Sequence, residues 1–159
     1  MERTRRRPCG LINAYPGAPL NANVRLQQTI VANSQIVAEL EKFIGTPKFS
    51  ADCWKTRLAN PSSDQMCQRM ESLVNDVARK VQHLVQAEAT PSTIKGAIAS
   101  ALRSTRTHEF DTEEREFICD QIERVARIAN VKVGNVLNRW LYGAFLGTVI
   151  NVFRGPAKN

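Results

Sequence analysis

The stretch DTEEREFICDQIERVARIANVKVGNVLNRWLYG, residues 111–143, predicts two consecutive helices with a short break between them. Asp111 is followed three residues later by Glu114, the spacing of a capping box, in which each side chain bonds the other residue's backbone N–H. Apolar residues then recur at helical spacing. They are Ile118, Ile122, Val125 and Ala129. The first of the two helices is therefore expected to begin at Asp111 and to bury one face.

The opposite face of this helix carries a mostly acidic stripe. Its members recur at i, i+3, i+7, i+10 and i+14, and they are Glu113, Glu116, Asp120, Glu123 and Arg127. Seven acids against one arginine between Glu109 and Glu123 give this segment a net charge of −6. Carboxylates at such spacing could serve acid–base chemistry or hold a hard cation, but no histidine or calcium-loop pattern accompanies them. Helix capping and a solvated surface are the simpler roles, and no metal or cofactor is predicted.

The second helix is predicted over residues 134–153, and its last 14 residues contain only Thr148 and Asn151 as polar side chains. Fourteen helical residues span about 21 Å, short of the roughly 30 Å hydrocarbon core of a membrane, so no transmembrane segment is predicted. Gly143 and Gly147 have the spacing that lets another helix come close. Two interpretations stay open: a central core helix, or a seam for a homo-oligomer or another partner.

Three further helices and almost no strands are predicted upstream. The first covers residues 24–44, where Gly45 and Pro47 end it. Its apolar residues are Ile30, Ile36, Val37, Leu40 and Phe43. Residues 46–62 are expected to form a loop with a short turn around Trp54.

The second upstream helix covers residues 63–87, with Ser62 and Gln65 as its capping box. Its predicted buried stripe is Met66, Met70, Leu73, Val77, Val81 and Leu84. The third begins at Thr90-Pro91, since proline is tolerated in the first turn. Its inner face is Ile94, Ala97, Ile98, Ala101 and Leu102. The fold class is therefore all-α, a single-domain bundle of about five helices with an irregular N-terminal arm.

The charge is concentrated at the two ends of the chain. The 159 residues carry a formal net charge of +7. Residues 1–7 hold four arginines against one glutamate, a net of +3, and the tail adds two more basic residues. These arginines are Arg3, Arg5, Arg6 and Arg7. We therefore divide the chain into a basic, Pro/Gly-rich arm (residues 1–22), a helical domain (residues 23–153) and a short basic tail (residues 154–159).

The four cysteines do not form a metal or disulfide framework. Cys9, Cys53, Cys67 and Cys119 are widely spaced, without a C-x-x-C pair, and neither histidine is near them in sequence. Reduced, buried thiols are therefore the default. The first arginines are followed by Pro8 and a Pro/Gly/Asn-rich stretch instead of the apolar run of an export signal. We expect a cytoplasmic protein.

Two short motifs carry a resemblance. Asp111-Thr112-Glu113-Glu114-Arg115-Glu116 and Trp140-Leu141-Tyr142-Gly143 resemble the Asp-Thr-Glu-x-Arg-Glu and Trp-Leu-Tyr-Gly signature of an uncharacterised bacterial family of small all-helical domains. The likeness covers residues 34–143. It implies an all-α fold and a bacterial origin and brings no activity with it. The motif residues also have structural roles: Asp111 caps its helix, Arg115 pairs with a neighbouring acid, and Trp140 fills the core.

No enzyme class is indicated. The sequence contains no glycine-rich phosphate loop, no nucleophile elbow and no H-E-x-x-H zinc motif. A cysteine nucleophile needs a nearby histidine, and Cys119 falls on or beside the apolar face of its helix, where inert burial is expected. We therefore expect a non-enzymatic protein.

Two binding functions are left. One is a protein-binding module, such as a bacterial immunity or adaptor protein, whose acidic helix face attracts a basic partner. Its partner-binding residues would be Glu113, Glu116, Asp120 and Glu123. The alternative is binding to nucleic acid or an anionic surface through the arginine-rich arm, which would weaken with salt. Its contacts would be Arg3, Arg5, Arg6 and Arg7.

Overall fold

The computed structural model describes residues 22–57 and 59–143, and within them every regular element is a helix. The elements are α1 (Ala22–Gly45), α2 (Ala51–Thr56), α3 (Asp64–Gln86), α4 (Pro91–Ser104), a 3₁₀ turn (Thr107–Glu109), α5 (Thr112–Ile128) and α6 (Gly134–Tyr142). The predicted all-α bundle is confirmed. The turn predicted around Trp54 is the short helix α2. None of the helices in these two stretches combines the length and the apolar character that a membrane crossing requires.

Helix α3 is the centre of the bundle. It packs against α1, α4 and α5, and α6 lies against both α5 and α4. The largest fully buried side chains come from five of the six helices: Leu40, Trp54, Met70, Val74, Val81, Ile98, Leu102, Ile118, Ile122 and Val125. One continuous hydrophobic core therefore contains the C-terminal half of α1 together with the helices that follow it.

Helix α1 extends past the helix that covers it. The amide of Gln82 donates to the Val37 carbonyl, and Lys48 contacts Glu71 near the start of α3, so the two helices run antiparallel. Helix α3 ends only four residues after Gln82. Ile30, one of the apolar residues of the α1 pattern, is accordingly 53% exposed, because α3 ends before it.

The buried face of α3 is rotated from the predicted stripe. Met70, Val77 and Val81 are buried as predicted, while Met66, Leu73 and Leu84 are only partly buried. The missed positions are Val74, Ala78 and Val85. Three helices cover α3, so its buried surface is wider than one stripe and is centred one residue further along the chain.

The cap of α3 is also one residue later than predicted. The Ser63 hydroxyl accepts a hydrogen bond from the Met66 N–H at 3.3 Å. Ser62, the predicted cap, donates its hydroxyl to Glu114 of α5 instead. Helix α4 begins as predicted, with Thr90 capping the Thr93 N–H and Pro91 in the first turn.

Helix α6 ends earlier than the sequence pattern suggested. The prediction of a helix from residue 134 to residue 153 is wrong at Gly143, which has φ +66° and bonds the Arg139 carbonyl. Glycine adopts a positive φ without steric cost, and a glycine after the last helical residue commonly ends a helix. The remainder of the predicted helix, with Gly147, lies outside the described residues, as do the arginine-rich arm and the basic tail.

Candidate functional site

The start of α5 is held by buried polar contacts. The Asp111 carboxylate accepts from the Glu114 N–H at 2.8 Å, and the Glu114 carboxylate accepts from the Asp111 N–H at 2.9 Å. The predicted capping box is therefore present. The other Glu114 oxygen accepts from the Ser62 hydroxyl at 2.6 Å, which ties α5 to the loop before α3. Glu114 is therefore buried. It is not a member of the acidic stripe, which lies on the outer face of the helix.

The acidic stripe is on the surface, as predicted. Glu113, Asp120 and Glu123 are exposed and Glu116 is half-buried. Asp120 forms an ion pair with Arg57, from the end of α2. The structure gives Glu113, Glu116 and Glu123 no ion-pair partner among residues 22–57 and 59–143.

The arginines near this stripe contact other groups. Arg57 stacks on the Phe117 ring, 4.6 Å from its centroid, in addition to pairing with Asp120. Arg124 donates to Gln121 at 3.1 Å and lies over the Phe43 ring. Arg124, which lies four residues after Asp120, is therefore used elsewhere and does not pair with the stripe.

A cleft of about 420 Å³ runs between the acidic stripe of α5 and one face of α6. Glu116, Asp120 and Glu123 form its α5 side. Its α6 side is Gly134, Leu137, Asn138, Leu141 and Tyr142. The Tyr142 side chain is 50% exposed, so an aromatic ring lies at the surface beside unpaired carboxylates. We call this feature the acidic cleft; three of the four predicted partner-binding residues line it, and Glu113 lies outside it.

Cys119 lies under the acidic cleft and is a poor nucleophile. Its side chain is buried, as predicted. Burial raises the pKa of the Cys119 thiol to about 12, and the carboxylates of Asp120 and Glu116 add to this increase. Because the thiolate is the nucleophilic form, this environment keeps the thiol unreactive. The described cysteines are free thiols, and no group of three His, Cys, Asp or Glu side chains in the described ranges comes close enough together to hold a metal ion.

Two polar contacts were not predicted from the sequence. Lys48 is buried, with its ammonium 2.6 Å from Glu71 and 4.7 Å from the Phe43 ring centroid. Arg57 forms the boundary of the acidic cleft. Both lie in the segment that was expected to be a loop, and both bind residues far away in sequence, so no local spacing could have revealed them. Their role is to hold the segment between α1 and α3 against the bundle.

The chain belongs to the family described as a domain of unknown function (DUF4844), whose model matches residues 29–145. This range agrees closely with the resemblance over residues 34–143. A DUF3571 family protein from Acinetobacter baumannii AYE has a similar crystal structure, with a TM-score of 0.65 and 23% sequence identity, covering 76% of this chain and 98% of that one. At this identity the likeness concerns the fold. No curated protein matches the chain.

Proposed function

We propose that this member of the DUF4844 family is a non-enzymatic protein-binding module whose acidic cleft holds a basic partner. One observation carries the proposal: three carboxylates of the stripe have no ion-pair partner in the described part of the chain, and two of them line a cleft beside the half-exposed ring of Tyr142. Charges that the fold leaves unpaired are free to pair with those of a partner.

The two parts of the acidic cleft suit different stages of binding. Unpaired carboxylates attract a basic surface during diffusion and fix its orientation. An exposed tyrosine beside them offers the kind of aromatic contact that contributes most to affinity in protein interfaces. Arg57 already neutralises Asp120, so Glu116 and Glu123 are the residues that we expect to pair with the partner's lysines or arginines.

The partner class that fits best is a protein with a basic functional surface, such as the active face of a nuclease-type toxin. In that case the chain is an immunity or adaptor protein of the bacterial cytoplasm. Three free cysteines are consistent with a reducing compartment. Neutralisation by covering a surface requires no catalytic group, which agrees with the unreactive Cys119.

The test is a charge reversal in the cleft. Tagged full-length protein is used to isolate partners from its native cells after nuclease treatment, and the recovered partner is then titrated with purified variants. E116K/E123K is expected to weaken binding by at least about 100-fold, because each contact between opposite charges becomes a repulsion. The control E41K/E88K changes the net charge equally on exposed sites away from the cleft and should leave affinity unchanged. Equal affinities for the two variants would exclude the acidic cleft.

The arginine-rich arm supports the alternative function, nucleic-acid or anionic-surface binding. Its support is the net charge of +3 over residues 1–7, which lie outside the described residues. Deleting residues 2–7 should abolish nucleic-acid binding and leave the protein partner bound. Nucleic acid that is still retained by the shortened chain would rule out the arm as its site.

A further inference from the structure

Helix α6 separates two clefts of opposite character. The acidic cleft lies on its α5 side. On its α4 side is a second cleft of about 460 Å³, between α4, the 3₁₀ turn and α6. This volume lies in the range of small-molecule sites, which is about 300–1,000 Å³. We call it the basic cleft, because Arg103 and Arg139 are the charged residues among the described residues that line it.

The two arginines of the basic cleft are available to a ligand. Both are exposed, and among residues 22–57 and 59–143 neither side chain has an ion-pair or hydrogen-bond partner. Arg103 is on α4 and Arg139 on α6, so the cleft has a guanidinium on each of two helices. Thr107 and Asn135 add polar groups to the same lining. Two unpaired cations in a cleft whose described lining contains no carboxylate favour an anion.

The inner surface of the basic cleft is apolar. Leu102 and Trp140 line it and are both buried, and Ala99 lies beside them. The Trp140 indole Nε1 is buried without a hydrogen-bond partner in the described part of the structure. Apolar surface below and cationic groups above are the composition of a site for an organic anion.

We propose that the basic cleft binds a small organic anion, a phosphate or carboxylate attached to a flat apolar body. The anionic group lies between Arg103 and Arg139, and the apolar body lies on Leu102 and Trp140. The apolar chain segment that follows Gly143 is a poorer match, since residues 144–153 contain no acid to neutralise the two guanidinium groups. This site is independent of the acidic cleft and of the partner proposed for it.

The test uses phenyl phosphate as the probe and the full chain as the receptor, followed by amide and indole N–H signals in nuclear magnetic resonance. Phenyl phosphate should shift the signals of Arg103, Thr107, Arg139 and the Trp140 indole saturably. R103Q and R139Q should each weaken binding by about 10-fold or more, because each removes a charge-assisted hydrogen bond. The control R127Q removes the same charge from an exposed site at the end of α5 and should have no effect.

Two further measurements test the apolar half of the site. Inorganic phosphate lacks the apolar body and should bind about 10-fold more weakly than phenyl phosphate. A99F fills the cleft without changing any charge and should weaken phenyl phosphate while the circular dichroism spectrum stays unchanged. Binding that is not saturable, or that R127Q weakens as much as R103Q and R139Q do, would overturn the proposal. Equal affinity for inorganic phosphate and phenyl phosphate would overturn the proposal that the ligand has an apolar body.

Discussion

The guanidinium of Arg115 donates a hydrogen bond to the main-chain carbonyl of Leu141, 3.2 Å away, and so joins the first turns of α5 to the last turn of α6. The same side chain bonds the Asp111 carbonyl and the Thr112 hydroxyl. The prediction that Arg115 pairs with a neighbouring acid is therefore wrong, because its guanidinium binds a helix end instead. The contact connects the two short motifs on which the family resemblance depends, one on each helix.

Removal of Arg115 should loosen α6. The variant R115A leaves the Leu141 carbonyl without its donor, and a lost partner of this kind costs about 1–3 kcal/mol of unfolding free energy. R115K keeps the charge but cannot reach three acceptors from one planar group, so it should recover only part of the loss. Urea denaturation measures the difference. R127A, at an exposed site of the same helix, is the control and should change stability by less than about 0.5 kcal/mol. Equal effects of R115A and R127A would contradict the role of the contact.

Glu114 should matter far more than Glu113, its neighbour in sequence. Glu114 accepts hydrogen bonds from Ser62 and from the Asp111 N–H and is buried, whereas Glu113 is exposed. E114A leaves two donors without an acceptor and should lower the unfolding free energy by about 1–3 kcal/mol. E113A loses only a favourable interaction with the helix dipole, at most about 1 kcal/mol. Thermal and urea unfolding of both variants provide the comparison, and a larger effect for E113A would contradict it.

The ion pair between Lys48 and Glu71 should be costly to break and easy to replace. The Lys48 side chain is 1% exposed, so its ammonium has almost no access to solvent. E71A leaves a buried charge uncompensated and should cost about 3–5 kcal/mol, whereas replacing both residues in K48M/E71L should recover most of that loss. The exposed pair of Asp76 and Arg79 is the matched control, and D76A should cost less than about 1 kcal/mol. A double-mutant cycle measured by urea denaturation tests this, and additive losses at Lys48 and Glu71 would contradict it.

Within α5, features that depend on local spacing were predicted from the sequence, whereas features that depend on distant neighbours were not. The capping box of Asp111 and Glu114 and the buried face of α5 follow from residues three or four positions apart, and both are present. The exposure of Ile30 depends on where α3 ends, and the periodicity of α1 gives no information about that end. The end of α6 could have been predicted from Gly143 itself. The apolar residues after this glycine led to the prediction of a longer helix instead.

The candidate site divides in the same way. The acidic stripe was predicted, because all its members are on one helix. The acidic cleft was not, since it requires α6 to lie beside α5, and its ion pair joins Arg57 to a residue 63 positions away. The basic cleft likewise joins Arg103 of α4 to Arg139 of α6. Spacing along the chain identifies charged faces, and only the packing of helices shows which charges the fold itself neutralises.

Cys119 should react with alkylating reagents far more slowly than Cys53 and Cys67. Burial raises its pKa to about 12, so roughly one molecule in 10⁴ carries the thiolate at pH 8, against an ordinary cysteine pKa of about 8.5. A raised pKa means that the reactive form becomes common only at higher pH, and the Cys119 rate should still be rising at pH 10. Iodoacetamide labelling with mass spectrometry of each peptide measures all three rates. E116Q/D120N removes two carboxylates that add to the increase and should speed the labelling of Cys119 several-fold, while E41Q should not. A Cys119 labelling rate that levels off near pH 8.5 would contradict the raised pKa. A rate that stays the same when the two carboxylates are removed would contradict their contribution to it.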